Sequence, residues 1–327
     1  MTKEEVLLKK LILIPSISGQ EKTIGEYIFN ILDQEGFETK KYLVDGDRFN
    51  VVAKIGNPNI YFSAHMDTVS PNLEYMETKT HIFGRGACDT KASIATMITA
   101  AIAAKKQGVN NFGLIFTVGE ETSFDGARSI VKSKFKIPFV VVGEPTKLKI
   151  VGGHFGMLVI KILAKGKAAH SSQPQKGINA IDLLLDAISK IKNTYIHPQT
   201  LMSLVQINGG IADNILPSEA SAIFSFRISP DDHLDYVNNF EKLFGKDIKV
   251  QTIHKIEAVN SSIPNQLSFI KSRSIEKYLT ELYCYKYGVV LGPGDIQFAH
   301  GTKEKIAKKE LSKAVKIYFK ILNNFSK

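Results

Sequence analysis

The sequence predicts an α/β domain interrupted by a second, α+β unit of ferredoxin-like order. Three observations carry this reading. Apolar strand-like runs alternate with helix-like segments through the first part of the chain, a β-α-β-β-α-β pattern begins near Gly152, and the first kind of signal returns after the pattern ends. At 327 residues the chain is long for one small core and suits two domains. The expected division puts residues 1–152 and 258–327 in one domain and residues 153–257 in the insertion.

Residues 50–55 (NVVAKI) and 60–64 (IYFSA) read as strands because they are short and apolar. Residues 91–106 (KASIATMITAAIAAKK) read as a helix, alanine-rich and free of Gly and Pro. A strand at 112–118, a short helix near 126–133 and a strand at 138–142 follow. Apolar strands separated by helices indicate a sheet buried on both faces. In the insertion, 156–165, 201–208, 219–228 and 248–256 read as strands, with helices at 178–192 and near 232–244. The return segment is expected to hold a helix near 266–281, a short strand at 288–291 and a last helix near 303–321.

Composition excludes several classes. Hydrophobic residues make up 44% and charged residues 23%, ordinary values for a globular chain. No apolar run reaches the roughly 18 residues needed to span a bilayer, so no membrane partner is expected. The first residues, MTKEEVLLKKLILIPSISG, carry acids and interrupting lysines and read as a first helix, not a targeting segment, which implies a cytoplasmic protein. Cys88 and Cys284 are far apart and form no CxxC pair, so a disulfide framework and a zinc finger are excluded. Both are expected to be reduced, mostly buried thiols; Cys88 adjoins a candidate ligand, which would expose it to oxidation, but is given no catalytic role. Charge alone favours the simpler reading of a lysine-rich solvated surface, but the net charge of +10 also suits acidic partners. Nucleic acid is not among them, since no arginine cluster is interleaved with aromatics and tryptophan is absent.

Acids and histidines concentrate in five segments: SAHMDTV (63–69), GRGACDTK (84–91), TVGEETSFDGAR (117–128), VVGEPT (141–146) and GPGDIQFAH (292–300). Most follow a strand-like run, and open α/β sheets bind ligands outside the carboxyl ends of their strands. His65 can offer a neutral imidazole to a divalent cation. Asp67, two residues on, is placed to accept a hydrogen bond from the far ring nitrogen. Asp89, in a glycine-flanked turn, has two oxygens and can bridge two metals, which in such hydrolases lie roughly 3.5–4 Å apart. Glu120 and Glu121 are adjacent, so one can bind metal while the other faces an attacking water. Glu144 and His300 complete the set. Each residue alone reads as a surface group, a helix cap or a turn residue; five metal-compatible segments in one chain do not.

These segments resemble the co-catalytic zinc metallopeptidase family of aminoacylase, carboxypeptidase G, acetylornithine deacetylase and succinyl-diaminopimelate desuccinylase. The resemblance spans essentially the whole chain. It implies a zinc-peptidase-like catalytic domain with a mixed sheet flanked by helices, and an inserted ferredoxin-like lid and dimerisation domain. It implies two divalent ions, zinc or cobalt, one held by His65, Asp89 and Glu144 and the other by Asp89, Glu121 and His300. Glu120 is then the general base, Asp67 a catalytic partner of His65, and the peptide after Asp89 is cis. Ala92 departs from the family, which often has glycine there, without touching a ligand.

GKAAHSSQP (166–174) resembles the family segment whose histidine, here His170, reaches a neighbouring subunit's site and stabilises the oxyanion. GGIADNILP (209–217) and FSFRIS (224–229) resemble segments whose residues, here Asn214 and Arg227, contact the substrate carboxylate. A homodimer is therefore implied. The compact loops resemble the prokaryotic hydrolases that release lysine or ornithine from the C-terminal glutamate of an acidic amino-group carrier protein, in lysine and arginine biosynthesis. The alternatives are a small-molecule deacylase acting on acetylornithine or succinyl-diaminopimelate, and a non-catalytic binding protein on the same fold. Lys305, Lys309, Lys313, Lys316 and Lys320 fall at helical spacing and form either a docking face for such a carrier or a solvated surface.

Overall fold

The computed structural model describes residues 1–273 and 275–326. The chain divides into two compact units: residues 1–153, 261–275 and 280–327, and residues 154–260 with 276–279.

The first unit is built on an eight-stranded mixed sheet. Its spatial order is Glu38–Asp45, Arg48–Ile55, Phe112–Thr117, Ile60–His65, Val140–Val142, Gly288–Val290, Ile150–Val151 and Ser272–Arg273. The four central strands, from Phe112–Thr117 to Gly288–Val290, run parallel to one another. Every residue of Ile60–His65 and Phe112–Thr117 is buried, as continuous apolar runs covered on both faces require. The alanine-rich helix Lys91–Lys106 is buried on nearly all sides, and its small side chains let the sheet and neighbouring helices approach closely. Gly143 marks one close approach of this helix to the sheet. A Cβ there would stand 2.7 Å from the Ser93 Cβ and 2.8 Å from the Met97 Cε.

The return segment differs from expectation. No helix spans 266–281 among the described residues; Ser274 lies outside them. Asn265–Leu267 forms a single 3-10 turn, and Ser272–Arg273 joins the sheet edge beside Ile150–Val151. Backbone bonding to that edge, including Ile150 N–H to the Lys271 carbonyl at 2.9 Å, takes the place of helical bonding. The last helix runs Lys308–Phe325, and Lys305 lies on the strand Lys305–Ala307, paired with His81–Phe83. Lys305 therefore leaves the lysine stripe, while Lys309, Lys313, Lys316 and Lys320 remain exposed along one face.

The second unit is a four-stranded antiparallel sheet ordered Leu201–Gly209, Glu219–Ile228, Gly156–Lys165, Ile248–Ile256. With the helices Ala180–Asn193 and Tyr236–Glu241 this is the ferredoxin-like order. Burial alternates along Gly156–Lys165 and Glu219–Ile228, and the buried face packs Ile160, Ile162, Phe224 and Phe226 against Leu184, Ile188, Tyr236 and Phe240. The second helix is shorter than its sequence pattern. The Asp232 carboxylate accepts from the Leu234 N–H, Thr200 and Tyr236, which holds residues 232–234 in a turn, and Asp235 caps the helix. No helix among the described residues is long and apolar enough to cross a membrane.

Candidate metal centre

The parallel strands place the acids and histidines at their carboxyl ends. His65 is the last residue of Ile60–His65; Glu120 and Glu121 follow Phe112–Thr117; Glu144 follows Val140–Val142; the segment bearing His300 follows Gly288–Val290. Asp89 precedes the helix Lys91–Lys106, across a cis Asp89–Thr90 peptide.

Ligand atoms of His65, Asp89 and Glu121 all lie within 4.8 Å of one another. His65 Nε2 is 3.1 Å from Asp89 Oδ1 and 3.8 Å from Glu144 Oε1. His300 Nε2 is 3.3 Å from Asp89 Oδ2 and 3.0 Å from Glu121. Asp89 thus presents one oxygen to each histidine. The Glu144 Oε1 atom is buried and has no hydrogen-bond partner, an orphaned acceptor that a cation would satisfy.

The electrostatics agree. Burial, reinforced by the carboxylates of Glu144, Glu121 and Asp89, pushes the Glu120 carboxyl well above its ordinary range. Burial and Asp89 do the same to Glu144. Burial also raises Asp89, but hydrogen bonds with His300 and His65 outweigh it and hold this carboxyl below the usual range. The His300 ring is pushed up to about 10 by its bonds to Asp89 and Glu121. Carboxyls forced toward the neutral form, beside imidazoles forced toward the charged form, fit a site completed by divalent cations.

Asp67 acts differently from expectation. The acceptor nearest His65 Nδ1 is the Asp67 carbonyl oxygen, at 2.9 Å, while its carboxylate Oδ1 stands at 3.6 Å. The carboxylate instead accepts the backbone N–H groups of Glu120 (3.0 Å) and Glu121 (3.1 Å) and the Ser18 hydroxyl (2.7 Å). Asp67 therefore orients the ring through its backbone and the Glu120–Glu121 turn through its side chain. Cys88 and Cys284 are free and buried, as the sequence reading expected, and burial pushes the Cys88 thiol up, which makes it a poor target for oxidation.

Sequence reasoning missed two buried acids beside the site. Glu304 accepts the backbone N–H groups of Cys88 and Asp89. Glu281 accepts from the Ser63 hydroxyl at 3.2 Å, and burial pushes its carboxyl up to about 7. Glu304 lies four residues after His300, which was a usable signal; Glu281 lies in a stretch read as helix.

The second unit carries the remaining expected residues. Ala169–His170 pairs with Ile215–Leu216, and Ser171 N–H donates to the Asn214 carbonyl at 2.9 Å, so His170 and Asn214 share one ribbon. His170 Nδ1 accepts the Ser172 N–H at 3.2 Å, which leaves Nε2 as the outward donor. Arg227 lies on Glu219–Ile228, and its Nη1 is buried with no hydrogen-bond partner.

A buried parallel sheet with an acid–histidine cluster at its carboxyl edge, joined to a ferredoxin-like unit, defines a metal-dependent hydrolase of the metallopeptidase class. Comparison with known proteins gives the family. Residues 152–250 match the peptidase dimerisation domain and residues 50–145 match peptidase family M28. A peptidase M20 domain-containing protein of Schizosaccharomyces pombe is 30% identical over 95% of this chain and 82% of its own length. The chain belongs to the M20 peptidase family. Among solved structures, the aminopeptidase PepT of Bacillus cereus superposes with a TM-score of 0.89 at 20% identity, covering 99% of this chain and 98% of its own. A dinuclear metal binding peptidase of the M20 family from Bacillus subtilis gives 0.78 at 17% identity, covering 98% and 96%. These two share the fold.

Proposed function

We propose that the chain holds two divalent ions, zinc in the first instance, and hydrolyses an amide bond to free an amino acid. The observation that carries this reading is the cluster itself: Asp89 between two histidines, with the orphaned Glu144 oxygen beside it. His65, Asp89 and Glu144 are assigned to one ion and Asp89, Glu121 and His300 to the other. When bound, such a pair polarises the amide carbonyl and makes water acidic near neutral pH.

The protein's own groups do the rest. With Nδ1–H given to the Asp67 carbonyl, the lone pair of a neutral His65 ring lies on Nε2, facing Asp89 and Glu144. Glu120, raised by burial, takes the proton of the attacking water and returns it to the leaving amine. The hold of Asp67 on the Glu120 backbone fixes where that proton is taken. His170, from the partner subunit of a homodimer, donates to the oxyanion, and Arg227 and Asn214 receive the carboxylate of the released amino acid. The unpartnered Arg227 Nη1 supports an anionic ligand. The apolar, exposed edge strand Leu201–Gly209, with Val205 58% and Ile207 54% exposed, supports the homodimer.

The substrate proposed is the C-terminal glutamate of an acidic amino-group carrier protein, joined to lysine or ornithine. The net charge of +10 supports it, as does the exposed face of Lys309, Lys313 and Lys316. A second reading is favoured by the curated relatives from Aspergillus named probable carboxypeptidases: release of a C-terminal residue from an ordinary peptide. Initial rates on carrier-linked lysine, a dipeptide ending in lysine and an N-acetyl amino acid, at about 0.01 M and 0.1 M salt, separate them. The Debye length falls from about 30 Å to about 10 Å over that range. The carrier reading expects KM to rise with salt for the carrier-linked substrate alone, and less so after Lys309→Gln, Lys313→Gln and Lys316→Gln. Turnover of the dipeptide but not of carrier-linked lysine would overturn it.

A further inference from the structure

Behind the shared carboxylate lies a buried ion pair with no place among the assigned ligands. Glu304 has a side chain only 1% exposed, and its Oε2 accepts from Arg85 Nη1 at 2.8 Å. Its Oε1 accepts two backbone N–H groups, from Cys88 at 2.9 Å and Asp89 at 3.0 Å. Arg85, 2% exposed, also donates from Nε to the Pro71 carbonyl (3.0 Å) and from Nη1 to the Gly301 carbonyl (3.3 Å). The Glu304 carbonyl in turn accepts the Gly84 N–H at 3.2 Å. One carboxylate–guanidinium unit therefore fastens the backbone of Asp89 and the carbonyl immediately after His300.

This arrangement is a costly way to gain stability. Two charges are removed from water, and well-packed apolar residues of similar volume commonly serve as well or better. What the pair provides is position. Both Glu304 oxygens are taken by N–H donors, so it is not itself a ligand. His65 is anchored at the end of a central strand, and Glu144 follows another. His300 has no such anchor. It is half exposed, in a left-handed conformation with φ of 59°, on a segment between a 3-10 turn and a three-residue strand.

We propose that Glu304 and Arg85 form a positioning unit that sets Asp89 and His300 relative to each other, and so governs the affinity of the ion held by Asp89, Glu121 and His300 more than that of its neighbour. The inference rests on the two-ion reading above. Partners behind metal ligands typically carry about 10–100-fold in affinity, and here that loss falls on one ion of two.

The test is cobalt(II) titration of chelator-stripped protein, read by visible absorption, with metal-free thermal unfolding alongside. Three variants are compared with wild type: Glu304→Gln, Arg85→Lys, and the double variant Glu304→Met with Arg85→Met. Glu304→Gln keeps an acceptor for the two N–H groups but turns an amide donor toward Arg85. Arg85→Lys keeps the charge but cannot reach both carbonyls and Glu304 at once. The double variant removes the pair without leaving a lone buried charge, although the Cys88 and Asp89 N–H groups lose their acceptor, so its metal-free unfolding is compared with wild type. The expected result is a tight first cobalt, changed less than threefold, and a second weakened about 10–100-fold, in each variant whose metal-free form still unfolds cooperatively. Two cobalt ions bound with wild-type affinity by any folded variant would overturn the proposal, as would equal weakening of both ions. A wild-type chain that takes up no cobalt would overturn the two-ion reading itself, and this inference with it.

Discussion

Metal binding at this centre has to compete with protons. Without metal, hydrogen bonds to Asp89 and Glu121 push the His300 ring up to about 10. Burial would lower His65, but Asp67 and Asp89 outweigh it and raise this ring well above its ordinary value. An imidazole binds metal only when neutral. A group with a pKa near 10 is neutral in only about one molecule in a thousand at pH 7. The sign follows: both values are raised, so each proton opposes the metal below its pKa, and affinity climbs with pH until the His300 value is reached. Each proton displaced contributes tenfold per pH unit, so with one or both rings titrating, log K should rise by between about one and two per pH unit from about pH 6 to 8.5. Glu144, raised by burial and also to be ionised, can only add to that slope. Zinc competition against a chromophoric chelator across this range gives the slope. Calorimetry in buffers of different ionisation enthalpy counts the protons released. A slope near zero, after correction for the chelator, would show that neither histidine is a ligand and would refute the assignment.

Four further outcomes are expected. Glu120→Gln keeps shape and metal but cannot accept a proton, so turnover should fall about 10²–10⁴-fold at unchanged zinc content; near-normal turnover would mean that another group is the base. Asp67→Asn replaces an acceptor of three hydrogen bonds with a group carrying its own donors, and should cost about 10–100-fold in turnover or metal affinity. The metal-free protein should lose thermal stability as pH rises from about 5 to 9. The raised Glu120 and Glu144 carboxyls are tolerated when neutral and penalise folding above their unfolded value, and the stabilising His300 contribution, complete below about 6.5, fades toward 10; added zinc should reverse the trend, and a flat melting profile would contradict it. The proposed homodimer through the exposed edge strand predicts that wild type scatters light as a dimer and that Val205→Lys with Ile207→Lys scatters as a monomer at unchanged zinc content; a wild-type monomer would contradict it.

Much of this was legible in the sequence because the local signals agree with the fold. Short, mostly apolar runs such as Ile60–His65 and Phe112–Thr117 read as interior strands, and the alanine-rich Lys91–Lys106 was readable to the residue. Most of the candidate ligand segments were visible because they follow such strands, the exception being that of Asp89, which opens the helix Lys91–Lys106. What was not legible depends on partners distant in the chain. Residues 266–281 have helical composition, yet the edge at Ile150–Val151 recruits Ser272–Arg273 as a strand. The backbone role of Asp67 and the clamp of Glu304 on Asp89 are set by N–H groups that no side-chain pattern reveals. Glu281 reads as an ordinary helix acid until the fold buries it beneath Ser63.

The most direct test is the rate of amino-acid release by chelator-stripped protein as zinc is returned in measured equivalents, with an N-acyl amino acid or carrier-linked lysine as substrate. Activity should be absent without metal and reach its plateau near two equivalents per chain, as the proposed assignment of Asp89 to both ions requires. Full activity in the stripped protein, or none at any zinc content on any amide substrate, would contradict it.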